Sequence, residues 1–142
     1  MSAAQIHPYV FFGGRCEEAI EFYKHALGAK VGMLMRFSES PDPTPEGMLA
    51  PGFENKIMHA DFTIGQSMVL VSDGCSEGEG KQNGFSLALT LPTTGEVDQA
   101  FAALSEGGQV TMPPCKTFWS EKFGMCVDKF GVSWMLMVAE AK

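Results

Sequence analysis

The sequence lacks the features that would place it in several specialised classes. Lysine and arginine number only 10 against 17 aspartates and glutamates, so the formal charge is −7 and the clustered positive charge that nucleic-acid phosphates require is missing. No apolar run reaches the roughly 18 residues of a membrane span. The first residues, Met-Ser-Ala-Ala-Gln-Ile-His, contain no basic region before an apolar stretch. We therefore expect a cytoplasmic protein that binds neither nucleic acid nor membrane.

Cysteine pairs at metal-binding spacing are also absent. The four cysteines, Cys16, Cys75, Cys115 and Cys126, include no Cys-x-x-Cys pair. A zinc ribbon or finger is therefore not expected, and free thiols in a reducing compartment are the better interpretation. Cys16 lies at a predicted helix start, where a thiolate is favoured. With no base placed beside it, we interpret this residue as a structural thiol.

The apolar residues that are present follow clear periodicities. They make up 45% of the 142 residues, which is enough for the core of one domain spanning residues 1–142. A helical stripe of apolar residues ends at Gly28, and alternating runs predict strands. The predicted helices are 16–27 and 96–106, and the predicted strands are 5–12, 29–37, 57–64, 67–72, 85–91, 109–112, 122–128 and 132–139.

The predicted elements repeat along the chain. Residues 1–74 and 83–142 each read as strand, helix, strand, strand, strand, and a Gly-rich stretch at 75–82 joins them. Gly28 and Gly107 are 79 residues apart, whereas Gly65 and Gly131 in the final hairpins are 66 apart. The difference of 13 is accounted for by a longer Pro-rich loop in the first half, which costs little stability. Duplication is favoured over chance agreement.

The repeat predicts an α+β fold of two βαβββ modules. One helix covers only one face of each small sheet, so the other face needs a cover. We expect two curved mixed sheets to form a shared cleft lined by alternate strand residues. Exposed strand edges in such half-barrels favour pairing with a second chain, which predicts a homodimer.

Several short motifs resemble a known family. The paired modules are similar to the vicinal oxygen chelate superfamily, which includes glyoxalase I, extradiol dioxygenases and bleomycin-resistance proteins, and within it to the PhnB-like branch. The motifs are Glu-Ala-Ile-Glu-Phe-Tyr (18–23), Leu-Gly-Ala (27–29), Met-His-Ala (58–60), Ser-Asp (72–73), Thr-Phe-Trp (117–119) and Asp-Lys-Phe-Gly-Val-Ser-Trp-Met (128–135). No Gly-rich loop typical of a nucleotide-like cofactor site follows the first strand, so a methyltransferase is not expected.

The resemblance implies a divalent metal held by the first and last strand of each module. Carried over position by position, the four ligand positions fall on His7, Val69, Ser86 and Met135. His7 alone is a typical ligand there, and one imidazole does not hold a catalytic metal. We therefore expect no firm cofactor, although the superfamily would imply a divalent ion.

A second set of polar residues lies on one predicted strand. His59 and Asp61 share a face by the two-residue period and could join His7 in a two-His-one-Asp metal site. They could instead form a general base oriented by a carboxylate, or a solvated pair on the sheet. Tyr9 and Phe11 share a face with His7 and would line the cleft or pack in the core.

These residues support two functional hypotheses. The first is a protein that binds a small apolar or aromatic molecule through Tyr9, Phe11, Ser86, Trp119 and Met135. The second is a metal-dependent lyase, isomerase or dioxygenase of the chelate type that uses His7, His59 and Asp61. Trp119 follows two prolines, where a pocket wall or a dimer contact explains it better than core packing. The resemblance implies a glutamate at each last-strand position, and its replacement by Val69 and Met135 favours binding over catalysis.

Overall fold

The chain divides into two compact units. A computed structural model describes residues 4–42, 47–76 and 83–139, and the units are Met1–Lys81 and Gln82–Lys142. Most of the predicted linker at 75–82 lies outside the described residues. Across the described ranges, neither helix has the length and apolarity needed to cross a membrane.

Each unit has the predicted order of one strand, one helix and three strands. The first unit contains β1 (Tyr9–Phe11), α1 (Cys16–Leu27), β2 (Lys30–Arg36), β3 (Ile57–Ile64) and β4 (Ser67–Ser72). The second contains β5 (Leu87–Leu91), α2 (Thr94–Ser105), β6 (Gln109–Cys115), β7 (Phe123–Val127) and β8 (Ser133–Val138). Strand β1 begins later than predicted, since Pro8 has no N–H for a sheet ladder; its carbonyl accepts a hydrogen bond from the Leu70 N–H at 2.9 Å.

The two sheets have the same mixed topology. Their strand orders are β1-β4-β3-β2 and β5-β8-β7-β6. In each sheet the first strand pairs in parallel with the last, and the other neighbours are antiparallel. The predicted α+β fold of two βαβββ modules is confirmed.

One helix packs on one face of each sheet. In the first unit, Tyr23 of α1 lies 5.7 Å, ring to ring, from Phe62 of β3, and both side chains are buried. In the second unit, Leu104 of α2 and Leu136 of β8 are fully buried. The core of each unit therefore lies between its helix and the helix-facing rows of its sheet.

The register corrects one position inferred from the repeat. Tyr9 pairs with Leu70, and Ala88, 79 residues after Tyr9, pairs with Met135. Leu70 is thus the counterpart of Met135, whereas Val69 pairs with Phe62 and faces α1. The spacing of 66 was wrong by one, because the β3–β4 turn has two residues and the β7–β8 connection has five, 128–132. Leu70 has no ligating atom, so the corrected position offers no metal ligand either.

Candidate functional site

The sheet face of the first unit that points away from α1 combines aromatic and polar side chains. Val10 and Val71 pair with each other and are buried, so the alternate residues of β1 and β4 lie on the opposite face. We call this surface the aromatic face; its members are Tyr9, Phe11, His59, Asp61 and Leu70. The register therefore brings together four of the predicted site residues. Tyr9 and Phe11 lie on β1, and His59 and Asp61, each fifty positions later in the sequence, lie on β3.

Two contacts organise the aromatic face. The Tyr9 and Phe11 rings are stacked with centroids 5.0 Å apart and an interplanar angle of 29°. The Tyr9 hydroxyl oxygen lies 2.9 Å from His59 Nδ1, within hydrogen-bonding distance. Both aromatic rings remain about two-fifths exposed, at 40% and 39%. The face thus presents a flat apolar surface next to an oriented imidazole.

The pKa of the Tyr9 hydroxyl is shifted by its surroundings. Desolvation raises the pKa of Tyr9 above its usual value, while a hydrogen bond with Ser72 lowers it and the charge of Cys16 raises it further. The contact between this hydroxyl and Nδ1 orients the His59 ring, and either group can be the donor. Nε2 is then the ring nitrogen that remains for a bound molecule.

Asp61 is held by the neighbouring edge strand. Its Oδ1 atom accepts a hydrogen bond from the Met33 N–H at 3.2 Å, where β2 departs from regular register with β3. A Cβ at Gly32 would collide with this carboxylate, so the close approach requires glycine. His59 is therefore bonded to Tyr9, whereas Asp61 is bonded to the backbone of β2.

The metal site implied by the superfamily does not fit these residues. The Nε2 atom of His7 lies 3.1 Å from Gln5 Oε1, and His59 Nδ1 is engaged by Tyr9. Among the residues that the structure describes, no group of three or more His, Cys, Asp or Glu side chains could hold a metal ion. The predicted set of His7, His59 and Asp61 therefore does not assemble as a metal site here.

The equivalent face of the second unit is rich in methionine. Trp134 and Leu136 of β8 are buried, so Met135 and Met137, which alternate with them, lie on the face away from α2 and are half-buried. Ser86 precedes β5, and its Oγ lies 2.8 Å from Ser133 Oγ. Ser86 and Met135 therefore belong to the same face of this sheet.

Trp119 lies beside a surface depression of the second unit. Its ring makes edge contacts with Phe118 and Phe123 at centroid distances of 4.9 and 5.3 Å. The depression has a volume of about 500 Å³ and is lined by residues that include Trp119, Lys116 and Glu121. The Phe118 ring is 97% exposed, so the 117–119 motif places large aromatic surface in contact with solvent.

Two buried aspartates serve the scaffold. Asp73 is 1% exposed and accepts hydrogen bonds from the N–H groups of Gly14, Cys16 and Ile57 at 2.8, 2.7 and 2.8 Å. Asp73 therefore ties the start of α1 to the start of β3. Asp128 organises the β7–β8 connection, where its Oδ1 accepts hydrogen bonds from the N–H groups of Phe130 and Val132.

The environment of Cys16 opposes thiolate formation. Burial raises the pKa of this thiol far above its ordinary value, and the charges of Asp73 and Glu17 raise it further. The expectation that the helix start favours a thiolate is therefore wrong, and the interpretation of Cys16 as a structural thiol agrees with its complete burial.

The comparisons with known proteins agree on one family. Residues 4–137 match the model of the family described as 3-demethylubiquinone-9 3-methyltransferase. The chain is 34% identical to protein YjdN of Escherichia coli over 95% of both chains. The chain belongs to this PhnB-like family. This confirms the branch that the sequence motifs indicated.

Solved structures carry the same fold. Protein PA1353 from Pseudomonas aeruginosa matches with a TM-score of 0.83 at 35% identity, over 98% of this chain and all of that chain. The putative 3-demethylubiquinone-9 3-methyltransferase, PhnB protein, from Bacillus cereus matches at 0.73 and 30%, over 96% and 100%. A glyoxalase/bleomycin resistance/dioxygenase superfamily member from Sphaerobacter thermophilus shares the fold at 0.58 and 19%, over 96% and 98%. The PhnB-like chain therefore has the superfamily fold, and fold alone does not assign an activity.

Proposed function

We propose that this PhnB-like protein binds a small apolar or aromatic molecule on the aromatic face. The stacked, partly exposed rings of Tyr9 and Phe11 beside His59 are the observation that carries the proposal. Exposed aromatic surface next to a few placed polar groups is typical of small-molecule sites.

The polar groups define the class of ligand. A planar ring can stack on Phe11 and Tyr9, since offset stacking of aromatic rings is favourable by about 0.5–1.5 kcal/mol. A hydroxyl on that ring can form a hydrogen bond with Nε2 of His59, as donor or as acceptor. The best-fitting ligand is therefore an aromatic molecule with one oxygen substituent at its edge.

A pair of matched probes tests this proposal. We expect 2-naphthol to bind more tightly than naphthalene by about three- to tenfold, the usual value of one net hydrogen bond. Phe11→Ser is expected to weaken both probes about tenfold, because the stacking surface is lost. His59→Leu is expected to remove only the preference for 2-naphthol. Chemical-shift titration of the backbone amides measures the affinity of the parent and of each variant for the two probes.

A control variant separates the face from general apolar surface. Met48 is exposed and lies in the loop between β2 and β3, outside the aromatic face, so Met48→Ser is expected to bind both probes as the parent does. Equal binding by the parent and Phe11→Ser would contradict the proposal, as would amide shifts confined to residues outside the face.

Trp119, Ser86 and Met135 remain predicted binding residues of the second unit. We propose the depression beside Trp119 as a separate small-molecule surface, supported by its volume and its aromatic wall. Its occupation would change the fluorescence of Trp119, and Trp119→Leu would abolish that change. The metal-dependent enzyme is not proposed, because among the described residues His7, His59 and Asp61 do not form a group that could hold a metal ion.

We also propose a homodimer in a reducing compartment such as the cytoplasm. Val31, Met33 and Leu34 on the edge strand β2 are exposed, which favours pairing with a second chain. None of the four cysteines forms a disulfide, which supports a reducing environment. Sedimentation analysis is expected to show a dimer that Leu34→Lys dissociates; a monomeric parent chain would contradict this.

A further inference from the structure

Three methionines form one row across the second sheet. Met112 of β6 pairs with Met125 of β7, and Met125 pairs with Met135 of β8. The row ends at Ala88 of β5, whose small side chain leaves space beside Met135. All three methionines are half-buried, so their thioethers are neither sealed in the core nor fully solvated.

The geometry of a sheet allows these sulfurs to meet. Side chains directly opposite each other on neighbouring strands have Cβ atoms about 4.5–5.5 Å apart. Methionine has three rotatable bonds beyond its backbone, so adjacent sulfurs can approach further. Metal–sulfur bonds in proteins are about 2.3 Å, so two sulfurs on one ion lie within about 4.6 Å of each other.

From this row we infer a binding site for a soft monovalent cation, copper(I), with Met112, Met125 and Met135 as ligands. Thioethers are soft, neutral ligands that select copper(I) over hard or borderline divalent ions. Within the described parts of the chain, His, Cys, Asp and Glu form no cluster that would attract zinc or a harder ion instead. The inference does not depend on the proposed binding of an aromatic molecule.

A row of thioethers has a signature that other ligand sets lack. Thiolate and imidazole ligands compete with protons, so their metal affinity falls on acidification. A thioether has no proton to lose, so silver(I), a redox-inert stand-in for copper(I), is expected to bind equally well at about pH 7 and about pH 5. Cys115 is exposed and lies on the same strand as Met112, so its thiol could itself bind silver near the row.

The test uses full-length protein labelled with ¹³C at the methionine methyl groups. In a Cys75→Ser, Cys115→Ser background, silver(I) is expected to shift the methyl signals of the three row members together. The shifts should saturate at one ion per chain. Met125→Leu, which removes the middle ligand and nearly conserves volume, is expected to lower the affinity at least about tenfold. Met68→Leu in the first unit is the matched control and should bind as the background does.

Three outcomes would overturn the inference. The first is unmoved methyl signals of the row in a protein whose other signals show it folded. The second is unchanged affinity in Met125→Leu, and Met135→Leu supplies the same test if that variant does not fold. The third is silver binding that disappears with the two cysteines or weakens between about pH 7 and about pH 5, which would assign it to a titrating ligand.

Discussion

The two units share one topology and differ in the chemistry of their exposed sheet faces. The helix-facing rows hold apolar residues in both units, such as Val10 with Val71 and Leu89 with Leu136. On the opposite faces, Tyr9 corresponds in register to Ala88, one aromatic and the other small. Packing of each sheet against its helix therefore specifies the fold, while the opposite face of each sheet can carry different side chains and bind different ligands.

The two units also differ in the role of their buried aspartates. Asp73 bonds to backbone groups before α1 and at the start of β3, so it joins separate elements of the first unit. Asp128 bonds to the N–H groups of Phe130 and Val132 and to Trp134 Nε1, all within six residues. Asp73 therefore stabilises the packing of separate elements, whereas Asp128 stabilises a single connection.

The largest expected effect is that of Asp73→Ala. Three backbone N–H groups would lose their acceptor, two of them in buried hydrogen bonds, and hydrogen bonds to a charged group are the costly ones to remove. We expect the free energy of unfolding of the first unit to fall by about 3 kcal/mol. Urea unfolding followed by far-UV circular dichroism measures this change.

Asp128→Ala is the matched variant in the second unit. Both tryptophans, Trp119 and Trp134, belong to that unit, so their fluorescence follows its unfolding. We expect Asp128→Ala to lower the urea midpoint of the fluorescence transition. Asp73→Ala should cause a larger decrease, in the midpoint of the transition followed by circular dichroism. An Asp73→Ala protein as stable as its parent would contradict the role of Asp73 in joining elements.

Local pattern predicted most of the fold. Helix α1 matches the predicted bounds, because its apolar stripe and Gly28 both act within a few residues. The β3–β4 hairpin also matches, since a two-residue turn fixes its register. The misplacement of Val69 has the opposite cause: the five-residue connection held by Asp128 shifts β8 relative to the repeat, and such a shift is invisible in glycine spacing.

The sequence named the residues of the candidate site, and their contacts could not be predicted from it. His59 and Tyr9 were both candidates, yet their hydrogen bond depends on the parallel register of β1 with β4, which no local signal carries. The role of Asp73 escaped sequence reasoning for the same reason, since its partners lie 57–59 and 16 residues away. The methionine row likewise emerges only from the pairing of three strands.

An intermediate effect is expected at the two helix-ending glycines. Gly28 and Gly107 have φ values of 68° and 76°, and an added Cβ meets nothing within 4 Å at Gly28 but Lys129 at 3.4 Å at Gly107. We expect Gly28→Ala and Gly107→Ala each to cost about 1 kcal/mol, from backbone strain. Asn at either position should cost less, because it tolerates the left-handed conformation. Thermal unfolding measures the stability of the Ala and Asn variants at each position. A Gly107→Ala protein as stable as its parent would show that the two helix ends are not equivalent.

The smallest expected effect concerns the ion pairs that link each helix to a neighbouring segment. Arg36 donates to the Glu17 carboxylate from two nitrogens, at 3.1 and 2.9 Å, whereas Lys122 donates to both Asp98 oxygens from its single ammonium nitrogen, at 3.0 and 2.8 Å. The hydrogen bond from Arg36 lowers the pKa of Glu17; burial opposes this shift, and the nearby charges of Arg36 and Lys56 lower the pKa further.

The sign of the pH dependence follows from that lowered pKa. The contribution of Glu17 is fully present above the ordinary glutamate pKa of about 4.3 and is lost as the pH falls through the lower folded value. Because the pair is exposed, Glu17→Gln should lower the melting temperature at about pH 7 by no more than about 3 °C. The difference from the parent should vanish at about pH 2, and Asp98→Asn should have the smaller effect. A difference that persists at about pH 2 would mean that Glu17 acts through packing and not through its charge.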